Sequence, residues 1–114
     1  MSDVPGKIHI AGEVISIIAG LAAVETDGIA ALSGGFQGGL KEAIAMKNLA
    51  KGIKIDRTGN VIRIDLYIVM DYGVRIPEVS WNVQENVKKR VEFMTGSSVN
   101  EVNIHIQGIN MPKQ

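Results

Sequence analysis

Between Val61 and Tyr72 the chain alternates almost without error: Ile62, Ile64, Leu66, Ile68 and Met70 are apolar, and Arg63, Asp65, Tyr67 and Asp71 fall between them. Successive side chains of a strand point to opposite faces, so this period describes a strand with one face in a core and the other left to solvent or a partner. A helix follows. After Gly73, Ile76, Val79, Val83, Val87, Val91 and Met94 recur at three- and four-residue steps, with Pro77 where a first helical turn tolerates proline and Gly96 as the stop. Val99, Val102, Ile104 and Ile106 then set up a last strand, whose outward positions include Asn103, His105 and Gln107. From Asp65 to Gly108 the chain thus runs strand, helix and strand with few residues to spare. None of them assembles a catalytic set, which points to a surface that binds.

The remaining segments fit around that unit. Lys7 to Ile10 is a short alternating segment, and Gly12 and Glu13 open a helix that should end before Gly28. Its stretch Val14 to Val24 is apolar apart from Ser16 and Gly20, yet it falls short of the roughly 20 residues that span a bilayer. A helix apolar all round needs cover on more than one side, from its own sheet and from another chain, which is a first sign of self-association. Ile29 to Leu32 forms a brief strand. Ser33 to Gly39 then places four glycines among seven residues, a mobile loop. Leu40 to Ala50 carries Leu40, Ala43, Ile44 and Ala50 near one face of a short amphipathic helix. Ile53 to Arg57 joins the long strand through Thr58, Gly59 and Asn60 as a hairpin, and Met111 to Gln114 is a frayed tail. The expected fold is α+β: one domain over residues 1–114, with two main helices on one face of a mostly antiparallel sheet of four or five strands. Residues 33–50 form its flexible glycine-rich loop and amphipathic segment.

Charge and composition exclude several functions. The 114 residues carry 12 basic and 12 acidic side chains, so no global field gathers nucleic acid or anionic membrane. The absence of cysteine removes a disulfide framework, and Met1 to Lys7 has no signal-peptide form, which gives a cytoplasmic reading. Ser16, Ser33, Ser80, Ser97 and Ser98 lie outside any Gly-x-Ser-x-Gly elbow, and the glycines around Phe36 lack the Gly-Lys-Ser/Thr ending of a phosphate loop. His9 and His105 occupy similar settings, but zinc normally takes at least three protein ligands and no cysteine completes a shell. No enzyme and no cofactor are expected. Two alternatives keep a specific signal. Gly35-Phe36-Gln37-Gly38 matches the Gly-x-x-Gly loop of single-stranded RNA-binding domains of the KH type. Lys41, Lys47, Lys51 and Lys54 against Glu42 could meet an anionic lipid surface directly.

Two surfaces are candidates for partner binding. The outward sheet face should present Arg63, Asp65, Tyr67, Asn103, His105 and Gln107. Trp81 lies about 200 degrees around its helix from Val83 at about 100 degrees per residue, opposite the core stripe, with Gln84, Glu85 and Lys88 nearby. Exposed tryptophan is a common interface anchor. The candidate partner-binding residues are therefore Trp81, Tyr67, Gln84, Lys88, Asn103, His105 and Gln107.

The strings Asp65-Leu66-Tyr67-Ile68-Val69, Tyr72-Gly73-Val74, Ile76-Pro77-Glu78-Val79, Asn82-Val83-Gln84-Glu85-Asn86-Val87-Lys88, Met94-Thr95-Gly96 and Glu101-Val102-Asn103-Ile104 together resemble the alkaline shock protein family of envelope stress response proteins. Gly6-Lys7-Ile8, Glu13-Val14-Ile15, Ile18-Ala19-Gly20, Ala22-Ala23-Val24-Glu25 and Gly28-Ile29-Ala30 extend the resemblance over nearly the whole chain. It implies a small cytoplasmic protein of Gram-positive bacteria with no established enzymatic activity, tied to cell-envelope stress, self-associating and in some members held at the membrane by an anchoring partner, with certain relatives connected to fatty-acid or phospholipid metabolism. The family has no agreed binding residues to carry over, so the candidate surfaces rest on periodicity. At Trp81 many family members carry a smaller or polar residue, which would make an anchor there particular to this chain.

Overall fold

A computed structural model describes residues 8–33 and 52–112. The glycine-rich loop, the amphipathic segment after it and the Gly-x-x-Gly string fall outside the described residues. The order of elements is α1 (Gly12–Val24), β1 (Ile29–Leu32), β2 (Ile53–Thr58), β3 (Val61–Asp71), α2 (Ile76–Thr95) and β4 (Val99–Asn110). Ile8 to Ile10, expected as a short alternating segment, forms no strand and leads directly into α1.

Among the described residues the other three strands all pair with β3. β2 runs antiparallel along its first half, from Val61 opposite Thr58 to Leu66 opposite Ile53. β1 runs antiparallel against Ile68 to Met70 on the same edge. β4 takes the other edge from Ile62 to Asp71, and it runs parallel. Two of the three pairings are therefore antiparallel, and the third uses α2 as the long crossover a parallel pair requires. The β2–β3 turn is tighter than expected, with only Gly59 and Asn60 outside the strands and Gly59 at φ +63°. That left-handed conformation belongs to two-residue hairpins and favours glycine.

The two layers follow from the two periods. Ile62, Ile64, Leu66, Ile68 and Met70 are buried on one face of β3. Val79, Val83, Val87 and Val91 form the buried stripe of α2, one residue per helical turn. α1 buries Ile15, Ile18, Ala19, Gly20, Ala22 and Ala23, which completes the core. Val14 is exposed, and Ile17, Leu21 and Val24 are half-buried. Polar bonds fasten the helices to each other. Asn86 Nδ2 donates to Thr26 Oγ1 at 2.9 Å, Thr26 Oγ1 donates to the Ala22 carbonyl at 3.0 Å, and Arg90 meets Glu25 at 2.8 Å. Gly96 ends α2 at φ +74°, its N–H donating to the Glu92 carbonyl, a left-handed cap that glycine adopts at least cost. No helix among the described residues is long and apolar enough to cross a membrane.

Gly28 packs closely against α2. It sits at φ +98°, and a Cβ there would come within 2.8 Å of Val79 Cγ2. Gly28→Ala should cost roughly 2–5 kcal/mol, from backbone strain together with overpacking against α2. Gly59→Ala, with open space around it, should cost only about 1–2 kcal/mol. Urea unfolding of the two variants measures the difference, and equal losses would contradict the close contact of Gly28 with α2.

Candidate functional site

The face of β3 turned away from the helices carries Arg63, Asp65 and Tyr67. The parallel register of β4 places Glu101 opposite Arg63, Asn103 opposite Asp65 and His105 opposite Tyr67. On the other side β2 sets Lys54 opposite Asp65 and Asp56 opposite Arg63. Residues up to 51 positions apart in sequence thus form one polar cluster on three adjacent strands.

Its centre is Asp65. His105 Nε2 lies 3.0 Å from Asp65 Oδ1, a bond that needs the ring proton on Nε2. Asn103 Nδ2 donates to the same oxygen at 3.2 Å and to Glu101 Oε2 at 2.8 Å, and Arg63 Nε stands 3.8 Å from Glu101 Oε2. The imidazole of His105 stacks on Tyr67, with ring centroids 4.5 Å apart and planes within 12°. Lys54 Nζ stands 5.4 Å from the centre of the Tyr67 ring, within reach of its negative face. The hydrogen bond from His105 holds the Asp65 carboxyl below its ordinary value of 3.8; partial burial opposes this, while the Asn103 amide and the charges of His105 and Arg63 reinforce it.

An Asp–His pair orients a general base in many hydrolases, but there the imidazole faces a nucleophile. Here the aliphatic hydroxyl closest to the cluster along the sheet is that of Ser33, whose N–H donates to the Tyr67 carbonyl at 2.7 Å; it lies on the β1 edge of β3, two strand spacings or about 10 Å from His105 on β4. What the cluster offers is a fixed array of donors, acceptors and one aromatic ring.

Tyr67, Asn103 and His105 are therefore brought together. Gln107 is exposed where the β3–β4 register shifts, skipped between Ile106 and Gly108, and so sits at the margin of the face. Trp81, Gln84 and Lys88 belong to α2, on the other side of the sheet. Trp81 is 61% exposed and lines an open groove with Glu25, Asp27, Asn82, Glu85 and Lys89. Gln84 turns toward the sheet, its amide donating to the Val102 carbonyl at 3.1 Å. Lys88 is exposed beside a separate depression between α2 and the start of β4. His9 is exposed ahead of α1 and in no strand, so it is no neighbour of His105 within the sheet.

The sequence model of the alkaline shock protein 23 family, described as having a cell envelope-related function, matches residues 1–111. YqhY of Bacillus subtilis is 48% identical over 104 residues, covering 91% of this chain and 77% of that protein. YloU of the same organism is 40% identical over 108 residues, covering 93% of this chain and 90% of its own length. A stress response regulator gls24 homolog of Streptococcus pyogenes is 28% identical over 114 residues, with 99% of this chain and 64% of that protein covered. The chain belongs to the alkaline shock protein family. No solved structure matches it.

For this alkaline shock family protein, periodicity alone identified Tyr67, Asn103 and His105 as outward-facing. It did not single out Lys54, Asp65 and Glu101 as contact-making members of the site, because their contacts depend on strand register across 38 to 40 residues for the hydrogen-bonded pairs with Asp65. Phe93, 88% exposed on α2, was also missed. It lies about 200 degrees from Val91, the same angular offset that marks Trp81, so the signal was present.

The lowered pKa of Asp65 has a definite consequence for stability. Because the folded form holds the proton less tightly than the unfolded chain, the contribution of Asp65 is complete above the ordinary carboxylate range and is lost as pH falls through the depressed value. Asp65→Asn should therefore be less stable than the parent at neutral pH, and the gap should narrow below about pH 4. Urea midpoints across that range test this. A gap independent of pH would contradict a His105-stabilised carboxylate.

Proposed function

We propose that this protein is a non-catalytic adaptor of the cell-envelope stress response, which self-associates and docks on a membrane-anchored protein partner through the outward face of its sheet. The observation that carries this reading is the cluster around Asp65. Its polar groups are held in fixed directions by one another on an open surface, as protein recognition needs, and among the described residues no aliphatic hydroxyl is hydrogen-bonded to Asp65 or His105. Membership of a family with a cell envelope-related function supports the setting, as does the stress response regulator among the relatives. A link to lipid metabolism would come through the partner.

Tyr67 would be the anchor of the docking face, since its ring is presented between Lys54 and His105. Aromatic residues at the centre of an interface commonly cost 2 kcal/mol or more on truncation. Affinity capture from envelope extracts, with the recovered partner identified and then purified, should show at least a ~30-fold weaker association for Tyr67→Ala. Trp81→Ala, on the other side of the sheet, should bind like the parent. Equal binding by the parent and Tyr67→Ala would overturn the docking face, and metabolite turnover by the purified protein would overturn the non-catalytic reading.

A further inference from the structure

Among the described residues β2 and β4 each leave one edge unpaired, and the two edges are built differently. β2 carries Lys54, Asp56 and Arg57 among its six residues, the kind of charged side chains that keep an open edge from pairing. β4 is twice as long, pairs only with β3 among the described residues, and contains Glu101 as its single charged residue of fixed sign, with no lysine, arginine or proline. A long edge strand without such guards is a template for another strand. Gln84 donates to the Val102 carbonyl at 3.1 Å, so Val102 turns its backbone toward this edge, where its carbonyl keeps one further lone pair for a strand partner. Strand alternation turns the N–H and C=O of Ile104 and Ile106 the same way. Ile104 and Ile106 are also only half-buried on the core side.

We infer that β4 pairs antiparallel with β4 of a second copy of this chain, about a two-fold axis at Ile104. The side chains select this occupant and this register. With Ile104 opposite itself, Val102 meets Ile106 of the other copy on the core side, and the half-buried isoleucines gain apolar cover. On the outward side Asn103 meets His105 and Glu101 meets Gln107, with no like charges opposed. Moving the axis to Asn103 would set Asn100 against Ile106, and moving it to His105 would set Glu101 against Ile109. Both mismatch polar and apolar groups. The Ile104 register continues one sheet through both copies, as a closed two-fold interface requires. The inference rests on the self-association proposed above and assigns it to the β4 edge, in place of the apolar α1 or Trp81.

The chain has no cysteine, so single-cysteine variants report the contact directly. Ile104 should stand opposite itself with Cα atoms about 5.5 Å apart. Ile104→Cys should therefore be joined to a dimer by a short thiol-to-thiol crosslinker, and Trp81→Cys should not. Light scattering supplies the second measurement, on exposed positions that leave the fold intact. Gln107→Glu sets a carboxylate against Glu101 twice per dimer and should weaken dimerisation several-fold, while Gln107→Lys should strengthen it to a similar degree. A protein that is monomeric throughout would overturn both self-association and this edge. A dimer that crosslinks at residue 81 but not 104, or ignores both Gln107 changes, would overturn the β4 pairing and leave self-association standing.

Discussion

The backbone of β3 is hydrogen-bonded along both edges, and that constraint decides where every other strand lies. β1 and β2 divide one edge between them and β4 takes the whole of the other. The central strand also supplies five consecutive inward residues to the core, from Ile62 to Met70. A slip of one residue in any pairing would turn the facing side chains over. In β3 itself such an inversion would bury Arg63 and Asp65 while exposing five large apolar side chains, at a cost far beyond the net stability of a small domain, about 5–15 kcal/mol. Register is therefore fixed by the core face, and the opposite face inherits it.

That inheritance explains the cluster around Asp65. Exposed ion pairs contribute only about 0–1 kcal/mol each, so Arg63–Glu101, with both side chains about half exposed, does little to hold strands that the core has already aligned, and a single hydrogen bond such as His105–Asp65 adds only about 1–3 kcal/mol. What the contacts do is fix directions. Asp65 receives His105 and Asn103, Asn103 also reaches Glu101, and the Tyr67 ring is held between an imidazole and an ammonium. Side chains so restrained lose less rotamer freedom when a partner meets them, which favours specific docking.

How far the sequence discloses this fold depends on the range of each interaction. The alternation of β3, the valine stripe of α2 and the glycine stop at Gly96 are local signals, and each element lies where its pattern places it. The four strands, the two helices on one face and the exposure of Trp81 follow from the same patterns. The parallel direction of β4 is not a local property, since it depends on α2 carrying the chain back to the start of β3. The contacts of His105 and Asn103 with Asp65 depend in turn on that direction. Ile8 to Ile10 alternates like a strand but has no partner strand among the described residues, and so short a pattern carries no pairing by itself. The tightness at Gly28 was equally hidden, because it is set by Val79, 51 residues further along the chain.

The two proposed surfaces are compatible for a geometric reason. A face-to-face dimer would bury Tyr67 and His105, removing the array proposed to meet a partner. Pairing through β4 leaves that face open and sets a second array beside it in the same sheet, with His105 of each copy next to the junction. Two docking faces in one rigid particle raise the effective concentration of the second contact once the first has formed, and such avidity commonly exceeds a single-site affinity by 10²–10⁴ without any new contact. A partner clustered at a membrane would meet both faces of such a dimer, whereas a monomer would offer it only one. Weak recognition by each face would then suffice for attachment, and loss of the β4 pairing would release the protein even with every residue of the docking face unchanged.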